Sequence, residues 1–150
     1  MSVRPIILDD GTRKNALFLI TKSNDGLLLM NKLAFKDSED GTTIYVGREG
    51  QKSLFGSDGT ITFKNFENNL KRELISRGEM SNVDIVDFTI KNFLLPRHAK
   101  KILIKFVKQG IIKTVDRNGN DTKNFYIAEN PNGGVTIFRY IQNGNQQSTT

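Results

Sequence analysis

The chain has 150 residues, with 22 basic and 16 acidic side chains, one histidine and no cysteine. That composition excludes disulfides, thiol nucleophiles, thiolate metal sites and any site built on two histidines. The net charge of +6 is uneven: residues 91–113 carry 7 basic groups and no acidic one, and such a block on a near-neutral body points to a polyanionic partner.

The chain opens on a short apolar run at 5–8 and a turn at Asp9-Asp10-Gly11. Residues 16–21 (ALFLIT) have the length and apolarity of a buried strand. Ser23, Asn24 or Asp25 can cap a following helix at 27–35, whose Leu27, Met30, Leu33 and Ala34 fall at helical spacing. A polar turn at 37–41 leads to an alternating strand at 42–46 and a loop at 47–56. Residues 1–56 therefore read as a small β-α-β portion. The longest apolar run, 16–20, is too short to span a membrane, and the start lacks the apolar stretch of a secretory signal. The expected location is cytoplasmic.

The second part begins with a helix at 62–77 that carries Phe63, Phe66, Leu70 and Leu74 on one face and stops at Gly78. Ser81 or Asn82 caps a helix at 83–92, with Val83, Val86 and Ile90 on one side and Ile85 and Phe88 on another. Leu94-Leu95 forms a tight connection. Pro96 suits the first turn of a third helix, which Gly110 ends. A strand at 111–115, an Asn118-Gly119 two-residue hairpin signal, a return strand at 123–127, a turn at 130–134 and a last strand at 135–141 follow. Residues 142–150 read as a disordered tail.

Helix, helix, short turn, helix and hairpin is the order of a winged helix-turn-helix, whose third helix enters the major groove. The expected fold class is α+β: a winged-helix domain over 57–141 with a small N-terminal β-α-β extension. At about 100° per residue, Ile102, Leu103, Phe106 and Val107 of the third helix share one face with Ala99. Arg97, Lys101, Lys105 and Lys108 lie nearly opposite, and Lys100 flanks them. Phosphate neutralisation by such side chains dominates non-specific affinity for duplex. Bidentate base readout uses Arg, Asn or Gln, and this stripe holds one arginine. The candidate nucleic-acid contacts are Arg97, His98, Lys100, Lys101, Lys105 and Lys108, with Lys113 and Arg117 on the wing. RNA is less favoured, because the chain lacks the paired aromatic stacking motif of common single-strand modules.

The expected function is duplex DNA binding without catalysis, cofactor, metal or small-molecule substrate, in a transcriptional or mobile-element regulator. The alternative is a protein-interaction module, an adaptor or inhibitor whose basic face meets an acidic protein. Other motifs do not hold. Residues 47–53 lack the glycine a phosphate loop needs before its Lys-Ser pair, since Gln51 stands there. Residues 116–127 place Asp121 and Ile127 where a calcium loop needs glycine and glutamate.

Residues 16–35 (ALFLITKSNDGLLLMNKLAF) resemble the strand and Gly-Leu-x-x-Met helix near the C-terminal side of three-Cys-motif partner proteins. Residues 82–112 resemble the winged helix that follows in that family, in helix lengths, the short hydrophobic turn and the final Gly110-Ile111-Ile112. The larger N-terminal half of that family has no counterpart here, so none of its enzymatic residues carries over. The resemblance implies a winged-helix module from a bacterial or phage setting.

Overall fold

The computed structural model describes residues 1–9, 12–36, 38, 41, 43–45, 59–127 and 134–141. The loop expected at 47–56 and the tail expected at 142–150 lie outside the described residues, as does nearly all of the turn expected at 130–134.

The N-terminal part is ββαβ rather than β-α-β. Strand β1 (Ser2–Asp9) pairs antiparallel with β2 (Lys14–Thr21) over eight residue pairs, from Ser2↔Thr21 to Asp9↔Lys14. Helix α1 (Asn24–Lys36) follows, and β3 (Thr43–Tyr45) returns parallel to β1, giving the order β2-β1-β3. Pro5 hides β1 in the sequence, because proline removes a ladder donor and argues against a central strand. The register resolves this: β3 meets only Ile7–Asp9, so Pro5 lies beyond that pairing, opposite Phe18 of β2 alone.

Ser23 caps α1, its Oγ accepting the Gly26 N–H at 2.9 Å. Gly26 is required there because a Cβ would lie 2.4 Å from Thr21 Oγ1 at the end of β2. The buried stripe of α1 is Leu27, Met30, Asn31 and Ala34. Leu33, expected on that stripe, is 51 % exposed. The helical repeat puts Asn31, four residues after Leu27, nearer the centre of the face than Leu33. The edge strand β2 exposes Leu17, Phe18 and Ile20.

Helix α2 (Gly59–Arg77) buries Phe66, Leu70 and Leu74, as its spacing predicts. Gly78 takes φ +74° and turns the chain into a short strand, β4 (Glu79–Ser81), which the sequence reading does not contain. Helices α3 (Asn82–Lys91) and α4 (Pro96–Lys108) precede β5 (Ile112–Val115) and β6 (Ile137–Tyr140). Strand β6 is central, antiparallel to both β4 and β5. One core cluster joins α2, α3, α4 and this sheet, and it includes Leu27 of α1. Each fully buried Leu, Ile or Phe contributes roughly 1.5–3 kcal/mol by leaving water. The architecture is mixed α+β. Val83 of α3, which the spacing puts on one side with Val86 and Ile90, is exposed, whereas those two are buried. No helix among the described residues is long and apolar enough to cross a membrane.

Two corrections concern the end of the chain. The sheet partner of β5 is β6, not the expected return strand at 123–127, which lies outside any ladder. The two residues before that segment are held by a Val115↔Asp121 bridge and by the Thr122 N–H to the Thr114 carbonyl at 3.0 Å. Beyond these bonds, Phe125 packs edge-on against Phe138 at 5.1 Å and Ile127 enters the core. The turn has three loop residues rather than two. The Gly119 N–H reaches the Asp116 carbonyl, the Asp116 N–H reaches the Asn120 carbonyl, and only Gly119 has positive φ. This is the three-residue hairpin turn with glycine in the left-handed position. The Asp116 carboxylate accepts the Asn120 and Asn118 N–H groups, and the Asn120 bond in particular holds its pKa below the usual value.

Ser81 is the N-cap of α3. Its Oγ accepts the Asp84 N–H at 3.1 Å, and the Asp84 carboxylate accepts the Ser81 N–H at 3.1 Å. Ser81→Ala leaves one first-turn donor unpaired and should cost about 1 kcal/mol in chemical denaturation. An unchanged midpoint would contradict this reading of the cap.

Candidate nucleic-acid interface

The orientation of α4 is set by the turn before it. Helix α3 ends with the Leu94 N–H on the Thr89 carbonyl at 3.1 Å and the Phe93 N–H on the Ile90 carbonyl at 3.0 Å. This paired closure needs a left-handed residue, a place usually held by glycine. Here it is Phe93, with φ +61°, the one non-glycine residue at positive φ among those described. That conformation costs roughly 1–2 kcal/mol for an L-residue. Packing of the Phe93 ring against the core offsets it. The fully buried Asn31 of α1 adds a clamp: its Nδ2 donates to the Ile90 carbonyl at 3.0 Å and to the Leu94 carbonyl at 3.1 Å. The N-terminal part thus holds the α3–α4 turn in place. A lone amide on the apolar face of α1 is the signal that could have revealed this contact.

Pro96 opens α4 as expected. His98, expected on the basic stripe, turns inward instead. Its ring is half-buried between Phe35 of α1, at 4.7 Å, and Phe63 of α2, at 5.0 Å. Nδ1 accepts the Leu95 N–H at 3.1 Å and so satisfies a donor at the helix start. The proton of the neutral ring is then on Nε2, so Arg97 Nε, 3.4 Å away, is a neighbouring cation rather than a donor to a lone pair. Burial, then Arg97 and Lys101, lower the His98 pKa to about 4.

An unfolded histidine titrates near 6.5, so between about 6.5 and 4 the unfolded chain binds more protons than the folded one. Stability should therefore be full above pH 6.5 and fall as pH drops towards 4. His98→Gln keeps an acceptor for the Leu95 N–H and should flatten that dependence. Denaturation midpoints at pH 7, 5.5 and 4.5 check it, and an equal slope in both proteins would contradict it.

The remaining α4 side chains divide sharply. Pro96, Ala99, Ile102, Leu103 and Phe106 are buried, whereas Arg97, Lys100, Lys101, Lys105 and Lys108 are exposed. No acidic residue stands on the helix. Val107, which the helical repeat puts on the same face as Ala99, is 38 % exposed, because it lies at the edge of that face. Ile104, which sequence reasoning passed over, is 39 % exposed in the middle of the basic side, between Lys100 and Lys108. Its position among polar residues on the helical repeat was the available signal.

The structure does not bring all eight sequence candidates together. Arg97, Lys100, Lys101 and Lys108 share the exposed side of α4 and form no ion pair among the described residues. Lys105 is bound to Glu67 of α2 at 2.5 Å. On the β5 side, Lys113 is bound to Asp121 at 2.8 Å, and Arg117 is exposed in the three-residue turn. Among the described residues, no group of three or more His, Asp or Glu side chains could hold a metal ion.

No protein-family model matches the chain. Neither a curated protein nor a solved structure matches it. The resemblance to three-Cys-motif partner proteins is neither supported nor opposed by these comparisons.

Proposed function

We propose that this is a winged helix-turn-helix protein that binds duplex DNA through phosphate contacts of α4, without catalysing a reaction. The reading is supported by the element order α2, β4, α3, α4, β5, β6, with β5 and the central β6 supplying the wing. One observation carries it. An acid-free helix is anchored on one side by five buried residues and holds Arg97, Lys100, Lys101 and Lys108 on the other. Four such contacts should give a slope near −3.6 in log K against log salt, at about −0.9 each. In this reading Ile104, exposed among the lysines of α4, would meet a thymine methyl, the apolar group of the major groove. His98 acts as a positioning residue for the helix start rather than as a contact. Titration of a labelled random-sequence duplex over a range of salt concentrations tests the reading. Absence of binding at low salt would overturn it. The protein would act as a cytoplasmic regulator of transcription or of a mobile element.

A second reading has its own observation. Phe18 and Ile20 on the edge strand β2 are 62 % and 61 % exposed. An apolar strand at the edge of a sheet suits strand addition by a protein partner. An adaptor or inhibitor would then use β2 in addition to, or in place of, the basic face of α4.

A further inference from the structure

The basic surface of α4 does not end at the edge of that helix. His98 and Lys105 are seven residues apart, two helical turns, and so lie on one flank of α4. Helix α2 runs along that flank: its Phe63 ring meets His98 at 5.0 Å, and its Glu67 carboxylate meets Lys105 Nζ at 2.5 Å. Beneath this seam, Phe66, Leu70 and Leu74 of α2 share one core cluster with Leu103 and Phe106 of α4, so the two helices keep a fixed spacing. On the solvent side α2 carries Lys64 and Lys71, both exposed. Lys64 precedes Glu67 by three residues and Lys71 follows it by four, which places both lysines on the side of α2 that holds Glu67.

A glutamate four residues before a lysine is the favoured order for a pair within one helix. Glu67 instead reaches across the seam to Lys105. The other acid of α2, Glu73, is bound to Arg77 at 2.5 Å. Neither Lys64 nor Lys71 forms an ion pair among the described residues. The seam therefore keeps two positive charges on α2, next to Lys101 and Lys108, which lie one turn either side of Lys105 on α4. We propose that the seam between α2 and α4 is a second phosphate-binding strip, in which Lys64 and Lys71 contact the duplex backbone beside the groove that α4 enters. The inference rests on the DNA-binding reading and deepens it, because it brings α2 into the binding face. The complementarity is one of charge: lysine meets a phosphate as a point charge, and such contacts position the protein without selecting a base. Two further contacts would take the slope of log K against log salt from near −3.6 to about −5.4.

The test compares four proteins on one labelled random-sequence duplex over a series of salt concentrations: the parent, Lys64→Ala/Lys71→Ala, Lys64→Arg/Lys71→Arg, and Lys100→Ala/Lys101→Ala. Each lost phosphate contact should make the slope shallower by about 0.9, so the Lys64→Ala/Lys71→Ala protein should lose about 1.8 of slope. The arginine pair, which keeps both charges, should keep the parent slope. The melting temperatures of all four should agree, because the replaced side chains are exposed. A parent slope retained in Lys64→Ala/Lys71→Ala would overturn the strip, and a shallower slope in Lys100→Ala/Lys101→Ala at the same time would leave α4 as the binding face. A parent that binds no duplex would overturn the DNA reading itself. A slope reduced equally in the alanine and arginine pairs would show that the lysines act on structure rather than on phosphate, and would also overturn the strip.

Discussion

Asn31→Asp should destabilise the protein by about 3–5 kcal/mol at neutral pH, the cost of leaving an uncompensated charge inside. The side chain is fully buried and its Nδ2 donates to two backbone carbonyls, those of Ile90 and Leu94. A carboxylate would present oxygen to oxygen at both. A loss of that size is a large fraction of the 5–15 kcal/mol that separates folded from unfolded chains. The deficit should also depend on pH. Burial raises the folded pKa of the introduced acid above its unfolded value near 3.9, so the penalty is present at neutral pH and narrows as pH falls towards 4. Once protonated, the group can donate to one of the two carbonyls again. Asn31→Leu removes the donors without adding charge and should cost less. The Ile90 carbonyl keeps the Phe93 N–H, and the Leu94 carbonyl loses the bond described here. Denaturation curves at pH 7 and pH 4 check both variants. An Asn31→Asp protein within 1 kcal/mol of the parent at pH 7 would show that the clamp on the α3–α4 turn is not formed.

Lys100→Glu/Lys101→Glu should reduce affinity for duplex DNA by two orders of magnitude or more at low salt, while the melting temperature stays near that of the parent. Two favourable phosphate contacts are lost and two repulsive ones appear. The loss should shrink as salt rises, because the parent's advantage comes from counterion release. Both side chains are exposed and neither forms an ion pair among the described residues. Lys105 is the less suitable choice for reversal. Its Nζ lies 2.5 Å from Glu67, so Lys105→Glu would set two carboxylates against each other between α2 and α4 and confuse stability with binding. Fluorescence anisotropy at two salt concentrations measures the effect. Parent-like affinity in the reversed protein would remove α4 from the interface.

Much of the helical part was legible because local signals and packing agree there. The Phe66, Leu70 and Leu74 spacing, Pro96 at the start of α4, and Gly110 at its end with φ +67° all act within one or two turns. The failures share a cause: each depends on a partner far away in sequence. Pro5 argues against β1 until the short reach of β3 is known. The strand β4 has only three residues and exists because β6 pairs with it. Leu33 and Asn31 exchange roles because the end of α3 and the turn after it each offer a carbonyl at the point where α1 packs. His98 leaves the basic stripe because Phe35 and Phe63, on two other helices, form its slot. Within the candidate interface, the charge of the third helix could be read directly from its residues. Which charges are neutralised, at Lys105 by Glu67 and at Lys113 by Asp121, could not.

Amide chemical-shift mapping on the isotope-labelled protein, with a short random-sequence duplex added in steps, tests the central claim most directly. The account predicts that the largest shifts fall on Arg97, Lys100, Lys101, Ile104 and Lys108 of α4, with β2 unmoved. Shifts confined to β2, or no shift anywhere at low salt, would contradict it.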